Sequence, residues 1–303
     1  MEVNLMYVVL GASGNTGRVV ANNLLSRGQK VRVVGRNAAH LQTLAAKGAE
    51  PFVADVTDSG ALTQAFQKAD SAYVMIPPNP ASTDALGYAN RVSDAIAAAV
   101  QKAGTKNIVA LSSIGADKAS GTGPVLGLHH LEQKLNQIAG VNVLHLRAGY
   151  FMENTLPQVN AIRQMNSVAT PLRPDLKLSM IATRDIGAAA TDALLHPAPG
   201  KHTRELLGQR DLTYAEVAAT IGKAIAKPDL KYIQAPDDQF RSVLVQMGMS
   251  EQFAKLLLEM IGALNSGHMR ALEPRTPQNT TATNYETFVA DYFVPAYHQQ
   301  AAA

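Results

Sequence analysis

Short apolar runs at regular intervals along the first half of the chain constrain its fold more than any other sequence feature. Each gap between two runs is long enough for a helix, so the pattern predicts strands that alternate with helices. Because the runs do not alternate with polar residues, they are typical of a parallel sheet that helices cover on both faces. We therefore predict an α/β fold with a doubly wound parallel sheet. The runs are Met6–Leu10, Val31–Val34, Pro51–Ala54, Ala72–Ile76, Asn107–Leu111 and Val141–Leu146.

This regular pattern ends after Arg147, and the second half of the chain is predicted to form a smaller C-terminal α/β lobe on the substrate side. Its sequence favours helices, apart from a loop at Leu172–Asp175 and a proline- and threonine-rich stretch from Pro274 to Thr283. The predicted helices are Gly149–Met165, Thr183–Leu195, Tyr214–Ala226, Asp237–Met247, Ser250–Leu264 and Tyr285–Phe293.

Composition excludes several classes of protein. The 303 residues contain no cysteine, which excludes disulfides, thiol nucleophiles and thiolate metal sites and fits a reducing compartment. The net charge of +3 comes from scattered residues, so neither nucleic acid nor a membrane is required as a partner. The run Met1–Leu10 lacks a basic leader, and no apolar stretch approaches the roughly 18 residues of a spanning helix. We therefore expect a soluble, cytoplasmic protein.

A glycine-rich turn connects the first predicted strand to the first predicted helix, which runs from Asn15 to Arg27 and is capped by Gly28. The turn has the pattern G-x-x-G-x-x-G, with glycines three residues apart. Residues without a Cβ let the backbone and the helix amino terminus approach and bind a pyrophosphate. A strand-to-helix turn without a ligand is the alternative. The residues expected to bind a dinucleotide here are Gly11, Ser13, Gly14, Asn15, Thr16 and Gly17.

Residues at the ends of the second and third predicted strands indicate which dinucleotide binds. An NAD-selective fold usually carries an acid about 20 residues past the turn, whereas this chain has Arg36 there. A cation suits the 2′-phosphate of NADP, so we predict NADPH as the cofactor, with a solvated loop arginine as the alternative. Asp55 could accept a hydrogen bond from the adenine amine, or it could cap a loop or helix.

Four segments resemble the NmrA-like family of atypical short-chain dehydrogenases/reductases: Gly11–Gly17, Leu146–Asn154, Arg184–Gly187 and Leu212–Val217. The resemblance extends over nearly the whole chain. That family includes NADPH-dependent reductases of quinones, triphenylmethane dyes and phenylpropanoids, and also regulators that bind NADP without turning it over. The resemblance therefore implies cofactor binding more firmly than catalysis.

The resemblance also implies a division of the chain. It implies a discontinuous NAD(P)-binding Rossmann domain, made of residues 1–155 with part of 177–208, and a mainly substrate-side lobe of residues 156–303. The substrate cleft would lie between the two, beside the nicotinamide, which agrees with the general position of ligands at the carboxyl ends of parallel strands.

The resemblance places two sets of residues around that cleft. Ile76 and Pro77, after the fourth predicted strand, would line the nicotinamide half of the cofactor site. Tyr150, Phe151 and Asn154 would face the substrate. Packing between the lobes is the alternative role for these three residues.

The tyrosine–lysine pair that short-chain dehydrogenases generally use is absent. None of the nine tyrosines has a lysine four residues on, which argues against a tyrosine-dependent alcohol dehydrogenase or sugar epimerase. In the corresponding stretch, after Ser112 and Ser113, His130 and Lys134 share one face of a predicted helix. We predict that His130 delivers a proton and that Lys134 binds the nicotinamide ribose. An exposed polar face is the alternative.

The remaining chemistry-bearing motifs are missing from the sequence. The eight histidines include neither an H-E-x-x-H motif nor a pair four residues apart, so no metal site is predicted. The sequence also lacks a G-x-S-x-G nucleophile elbow.

Together these features predict an NADPH-dependent reductase that transfers hydride to a small, planar, electron-poor acceptor such as a quinone, a dye or an enal. Such an acceptor needs little acid catalysis, which would explain why the tyrosine is dispensable. The alternative is a non-catalytic NADP-binding redox sensor that acts through a protein partner. The expected partner of the reductase is the small-molecule acceptor, and a homodimer is left open.

Overall fold

The computed structural model describes residues 5–299, and the strands in that range form three sheets. In chain order the strands are β1 (Met6–Leu10), β2 (Lys30–Gly35), β3 (Glu50–Val53), β4 (Ser71–Val74), β5 (Asn107–Ser113), β6 (Asn142–Ala148), β7 (Tyr150–Phe151), β8 (Ser167–Thr170), β9 (Leu178–Ile181), β10 (Lys201–Leu206), β11 (Asp211–Leu212) and β12 (Lys231–Gln234).

Helices connect and cover these strands. A π-helical turn, Val289–Phe293, joins the last two helices. No helix within residues 5–299 is both long enough and apolar enough to cross a membrane. In chain order the helices are α1 (Asn15–Ser26), α2 (Gln42–Ala45), α3 (Ser59–Phe66), α4 (Ala85–Ala103), α5 (Val125–Asn136), α6 (Gln158–Met165), α7 (Thr183–Leu195), α8 (Tyr214–Ala224), α9 (Asp237–Gln246), α10 (Glu251–Asn265), α11 (Tyr285–Phe288) and α12 (Val294–Gln299).

Seven parallel strands form the central sheet, in the order β10-β6-β5-β4-β1-β2-β3. Successive side chains of β1 enter two different cores. Tyr7 and Val9 pack on one face of the sheet, and Val8 and Leu10 pack on the other. Burial on both faces explains why the apolar runs of the sequence are not interrupted by polar residues. The prediction of a doubly wound parallel sheet is therefore confirmed.

The order of the strands reverses at β1, which lies between β2 and β4. From β1 the chain moves outward to β2 and β3, and it then returns to β4 on the other side. Connections that leave in opposite directions open a crevice above the carboxyl ends of the strands. The glycine-rich turn follows β1 directly, so it lies at this crevice.

The segment after β6 forms a second lobe. Strands β11, β9 and β7 make a three-stranded sheet, and β12 pairs with β8 in a two-stranded one. Helices α6, α8 and α11 enclose a third apolar core, in which Tyr214, Tyr285 and Phe288 are fully buried. Between β9 and β11 the chain goes back to the central sheet, where β10 pairs with β6 in parallel.

Helix α7 leads the chain back to the central sheet and packs against α1. A Cβ at Gly187 would lie 2.5 Å from Cγ1 of Val19 and 3.3 Å from the carbonyl oxygen of Thr16. Only glycine therefore permits this close approach. The prediction of a helix at Thr183–Leu195 is confirmed with the same bounds.

The prediction of one continuous helix from Gly149 to Met165 is wrong. A Cβ at Gly149 would lie 2.3 Å from the carbonyl oxygen of Ser179, and the next residues pair with β9 as strand β7. A short 3-10 helix follows at Met152–Thr155, and α6 begins only after its N-cap, Pro157. Close contact between two backbones thus overrides the helical pattern of the local sequence.

Candidate active site

The glycine-rich turn has a backbone shape that side chains would obstruct. Gly11 has a φ of +63°, and the N–H of Gly14 donates to the carbonyl oxygen of Gly11 at 2.9 Å. A Cβ at Gly17 would lie 2.4 Å from that same oxygen. Gly14 is the N-cap of α1, no side chain caps the helix, and its first turn carries no acidic residue. Helix N–H groups without a side-chain cap are suited to an anionic phosphate.

The side chains of the turn differ in their availability to a ligand. Ser13 and Asn15 are exposed, whereas Thr16 is buried. The hydroxyl of Tyr73 on β4 donates to Oγ1 of Thr16 at 2.8 Å. The buried side chain of Thr16 thus fixes α1 to the sheet, whereas Ser13 and Asn15 are open to a ligand.

Arg36 and Asp55 follow β2 and β3, two strands that pair with each other at the same edge. The turn is joined to this edge, because the N–H of Ala12 donates to the carbonyl oxygen of Val34 at 3.3 Å. Arg36 is exposed and forms no ion pair with a carboxylate within residues 5–299. The structure therefore has an unengaged cation beside the glycine turn, which is what a 2′-phosphate requires.

Asp55 forms a local turn. Its Oδ1 accepts hydrogen bonds from the N–H and the hydroxyl of Thr57, at 2.8 and 2.7 Å. These two bonds hold the pKa of Asp55 below its usual value, and the charge of Arg36 acts in the same direction. The loop-capping role is thus realised. Both bonds use the same oxygen, so Oδ2 could still accept a hydrogen bond from a ligand.

A cavity of about 560 Å³ opens at the carboxyl ends of β4, β5 and β6. It brings together Ile76, Pro77, Tyr150, Phe151 and Asn154, all of which were predicted to surround the cleft. The hydroxyl of Tyr214 donates to that of Tyr150 at 3.0 Å, and burial raises the pKa of Tyr150. Tyr150 therefore keeps its proton at neutral pH and can donate a hydrogen bond into the cavity.

Helix α10 covers the cavity, which the sequence did not indicate. Phe253, Met260 and Leu264 lie on one face of the helix and line the cavity. Ser250, the N-cap of α10, donates from its N–H to the carbonyl oxygen of Pro80 at 2.9 Å. At the same end of the helix, the N–H of Ala85 donates to Oε1 of Gln252 at 2.7 Å. The helical spacing of these apolar residues was visible in the sequence. The hydrogen bonds that hold the start of α10 against the segment around Pro80 and Ala85 were not.

Tyr88 of α4 is a second residue that the sequence reasoning missed. It lines the cavity, and it lies near enough to Arg36 and Asp55 for their charges to act on its hydroxyl. Burial is the main reason that the pKa of Tyr88 is raised. Tyr88 therefore connects the cavity to the edge where the adenosine half of a dinucleotide is expected.

The predicted catalytic pair lies on another side of α5. Nζ of Lys134 is 2.9 Å from Oδ1 of Asp94 on α4, and Nε2 of His130 is 3.2 Å from the same oxygen. The hydrogen bond from Lys134 and, to a smaller extent, the one from His130 hold the pKa of Asp94 below its usual value. Neither His130 nor Lys134 is among the residues that line the cavity. Their catalytic role stays a prediction that this geometry does not support.

The side of α5 that faces the sheet and the cavity carries different residues. Val125 and Leu128 line the cavity. Glu132, one turn beyond Leu128, is buried and accepts from the hydroxyl of Ser112 at 2.6 Å. Arg147 on β6 donates to both oxygens of Glu132, from Nε at 2.9 Å and from a terminal nitrogen at 2.6 Å. This network fixes α5 to β5 and β6. Nowhere in the described residues do three or more His, Cys, Asp or Glu side chains form a group that could hold a metal.

The glycine turn is tested by the same substitution at two positions. At Gly14 a Cβ meets one close neighbour, the Gly11 oxygen at 3.2 Å, so we expect Gly14→Val to fold. Its branched side chain fills the space above the helix terminus, and it should weaken NADPH binding by more than about tenfold, or about 1.4 kcal/mol. Calorimetric titration and circular dichroism measure the two properties. A folded Gly14→Val protein with normal affinity would show that the turn has been misassigned.

Gly17→Val is the contrasting variant. Its Cβ would lie 2.4 Å from a backbone oxygen that cannot move independently. We expect it to lower the free energy of unfolding by about 1–3 kcal/mol, as overpacked core substitutions do. Denaturant unfolding of both variants should therefore separate binding from stability.

Lys134→Ala tests the predicted role of the α5 pair. The ammonium group of Lys134 pairs with Asp94, and the side chains of both residues are more than one-third exposed. We therefore expect the free energy of unfolding to fall by at most about 0.5 kcal/mol. The KM for NADPH and the turnover number should change less than about twofold, an energy below 0.5 kcal/mol. A joint fall in NADPH affinity and turnover in steady-state kinetics would instead restore Lys134 to the cofactor site.

Comparison with known proteins is consistent with this arrangement. The profile of the NmrA-like family matches residues 6–292. The NAD(P)H azoreductase of Xenophilus azovorans is 27% identical over 277 residues, which covers 91% of this chain and 93% of the relative. The quinone oxidoreductase QOR2 of Escherichia coli, solved with NADPH, has a TM-score of 0.80 at 23% identity and covers 95% of this chain and 100% of its own.

The triphenylmethane reductase of Citrobacter sp., solved with NADP(H), also has a TM-score of 0.80, at 18% identity, and covers 95% of this chain and 99% of its own. The likeness in fold to these two structures agrees with the family match, which includes every segment that carried the resemblance in the sequence. The chain therefore belongs to the NmrA-like family.

Proposed function

We propose that this chain is an NADPH-dependent reductase that transfers hydride to a small, planar, electron-poor acceptor such as a quinone, a dye or an enal. The observation that carries the proposal is the largely apolar cavity at the carboxyl ends of β4, β5 and β6, next to the glycine turn and Arg36. A planar aromatic ring fits such a cavity better than a polar or extended substrate does.

The class of enzyme and its cofactor agree with the sequence-based predictions. The azoreductase relative is named for NAD(P)H, and the two structural neighbours were solved with NADPH or NADP(H). The prediction of an NAD(P)H-dependent oxidoreductase with NADP(H) is thereby confirmed. The three relatives act on different acceptors, an azo compound, a quinone and a triphenylmethane dye, so the acceptor of this chain is part of the proposal.

The fit of NADP(H) to the residues present is good. The glycine turn provides helix N–H groups without a side-chain cap, and Arg36 provides a cation without a carboxylate partner in residues 5–299. Ser13, Asn15 and Oδ2 of Asp55 can add polar contacts. When bound, NADPH supplies the hydride.

The chain's own residues orient the acceptor and exclude water. Ile76 and Pro77, which follow β4, and Phe253 and Met260 of α10 form part of the cavity lining. Tyr150 can donate a hydrogen bond to an oxygen or nitrogen of the acceptor as negative charge develops there. Holding the two reacting atoms in contact is a large contribution that a protein can make to such a transfer.

The cavity face of α5 also suits an acceptor that needs little acid catalysis. Val125 and Leu128, the α5 residues that line the cavity, are apolar. Neither side chain can donate a proton to the substrate. Ketones and aldehydes generally need a proton during hydride transfer, whereas quinones and cationic dyes accept the hydride more readily alone.

Arg36→Ala tests the choice of cofactor. A charge-assisted contact contributes about 1.5–3 kcal/mol, and the lower value applies here because Arg36 is exposed. NADPH should therefore bind about tenfold more tightly than NADH, and Arg36→Ala should remove most of that difference without weakening NADH binding. Arg27→Ala, at the other end of α1, is the matched control. Equal affinities of the unaltered protein for both cofactors in calorimetry would refute the assignment.

Turnover on a panel of acceptors tests the reductase itself. We expect NADPH absorbance to fall steadily with at least one quinone or cationic dye, and faster than with a simple ketone or aldehyde. Binding of NADPH without turnover of any acceptor in the panel would instead favour a non-catalytic sensor that acts through a protein partner.

A further inference from the structure

Two cations, Lys177 and Arg270, lie at the mouth of the cavity, whose lining is mostly apolar. Both side chains are exposed. We propose that they bind an anionic substituent of the acceptor, a carboxylate or a sulfonate, while the aromatic ring enters the cavity. This inference rests on the proposed function, because it names the class of acceptor that the same cavity takes.

The two cations lie on neighbouring segments of the chain. The N–H of Arg173 donates to Oδ1 of Asn265 at 2.9 Å, and Nδ2 of Asn265 donates to the carbonyl oxygen of Pro171 at 3.0 Å. These bonds join the loop that leads to Lys177 to the end of α10, five residues before Arg270. Both cations therefore lie in segments that these bonds join, and both line the same cavity.

The carboxylates around this part of the cavity are already engaged. Asp211, the acidic residue of the lining, accepts from Arg275 and, at 2.8 Å, from the hydroxyl of Ser179. Asp175 accepts from both ends of the guanidinium of Arg173, at 3.0 and 2.5 Å. Paired carboxylates have little remaining attraction for a further cation.

The cations themselves have no such partner. Neither Lys177 nor Arg270 forms an ion pair with a carboxylate anywhere in residues 5–299, and Arg270 makes only a 3.3 Å hydrogen bond to the carbonyl oxygen of Gly267. Glu216, on which the charge of Lys177 acts, is held by the backbone and hydroxyl of Thr213. Two cations without a carboxylate partner at the mouth favour an anionic ligand.

The arrangement matches an amphipathic acceptor. Behind the two cations the cavity is lined by apolar side chains, among them Leu176, Met260 and Met269. Methionine side chains adapt to flat aromatic rings of different outline. An aromatic acceptor with one anionic group would place its ring against these residues and its charge at the solvent-facing mouth.

Binding to the NADP⁺-loaded protein tests the inference, because oxidised cofactor leaves the probes unchanged. The probes are naphthoquinone, naphthoquinone sulfonate and the cationic dye crystal violet, titrated by calorimetry. The test variant is Lys177→Gln/Arg270→Gln. The control is Arg27→Gln/Lys102→Gln. It removes the same charge from two exposed residues at the carboxyl-terminal ends of α1 and α4, away from the cavity.

We expect the unaltered protein and the control to bind the sulfonate about 5- to 20-fold more tightly than the neutral quinone. This is the combined effect expected of two solvent-exposed ion pairs. The test variant should lose that preference, bind the neutral quinone as before and bind the dye more tightly. Raising the salt concentration should reduce the preference of the unaltered protein. Equal affinity of the unaltered protein for sulfonate and neutral quinone, or an equal preference in the test variant and the control, would overturn the inference.

The proposed function is judged separately, by turnover of the neutral quinone with NADPH. Turnover of this quinone without any preference for the sulfonate would leave the reductase proposal standing and refute the anionic acceptor. A sulfonate preference without turnover of any acceptor would support the cation site and refute the reductase.

Discussion

Close contact around the carbonyl oxygen of Gly11 is the constraint on which the rest of the cleft depends. Gly17 passes so near this oxygen that no side chain fits, and α1 therefore begins immediately above the end of β1. The bond from Tyr73 to Thr16 ties the same helix to β4, and Gly187 lets α7 lie against it. Through α7 this contact also determines where the chain returns to the sheet as β10. The glycine-rich turn and the return of the chain are thus parts of one packing arrangement.

The walls of the cavity come from distant parts of the chain, and the contacts of α10 hold them together. Ser250 and Gln252 fix the start of α10 to the loop before α4, and Glu259 accepts from the N–H of Gly123 at 3.3 Å before α5 begins. Each such bond contributes modestly, but a buried donor left without its partner costs about 1–3 kcal/mol. The second lobe therefore stays in contact with the loops that precede α4 and α5, and these loops determine where α10 lies over the cavity.

The sequence could predict those elements whose structure depends on nearby residues, but not those that depend on contacts between distant parts of the chain. The strands of the sheet and the turn at Gly11 depend on patterns within a few residues, and so does α7, whose bounds were predicted without error. The stretch after Gly149 was mistaken for helix because the deciding neighbour, Ser179, is 30 residues away. The α10 cover of the cavity was missed for the same reason, since its partners precede it by more than 100 residues.

The predicted pair on α5 shows a different limit of sequence reasoning. Spacing of four residues correctly puts His130 and Lys134 on one helical face, but it does not say what that face contacts. Polar residues occupy more than one side of α5. Leu128 lines the cavity, and the buried Glu132 faces β5 and β6. Because Glu132 is held by Ser112 and Arg147, it serves the structure and not proton transfer. In the proposed reaction the chain therefore contributes position, a largely apolar environment and the hydroxyl of Tyr150, and the reactivity comes from the cofactor and the acceptor. Such a site can change its acceptor by altering the cavity walls, which is consistent with relatives named for an azo compound, a quinone and a triphenylmethane dye.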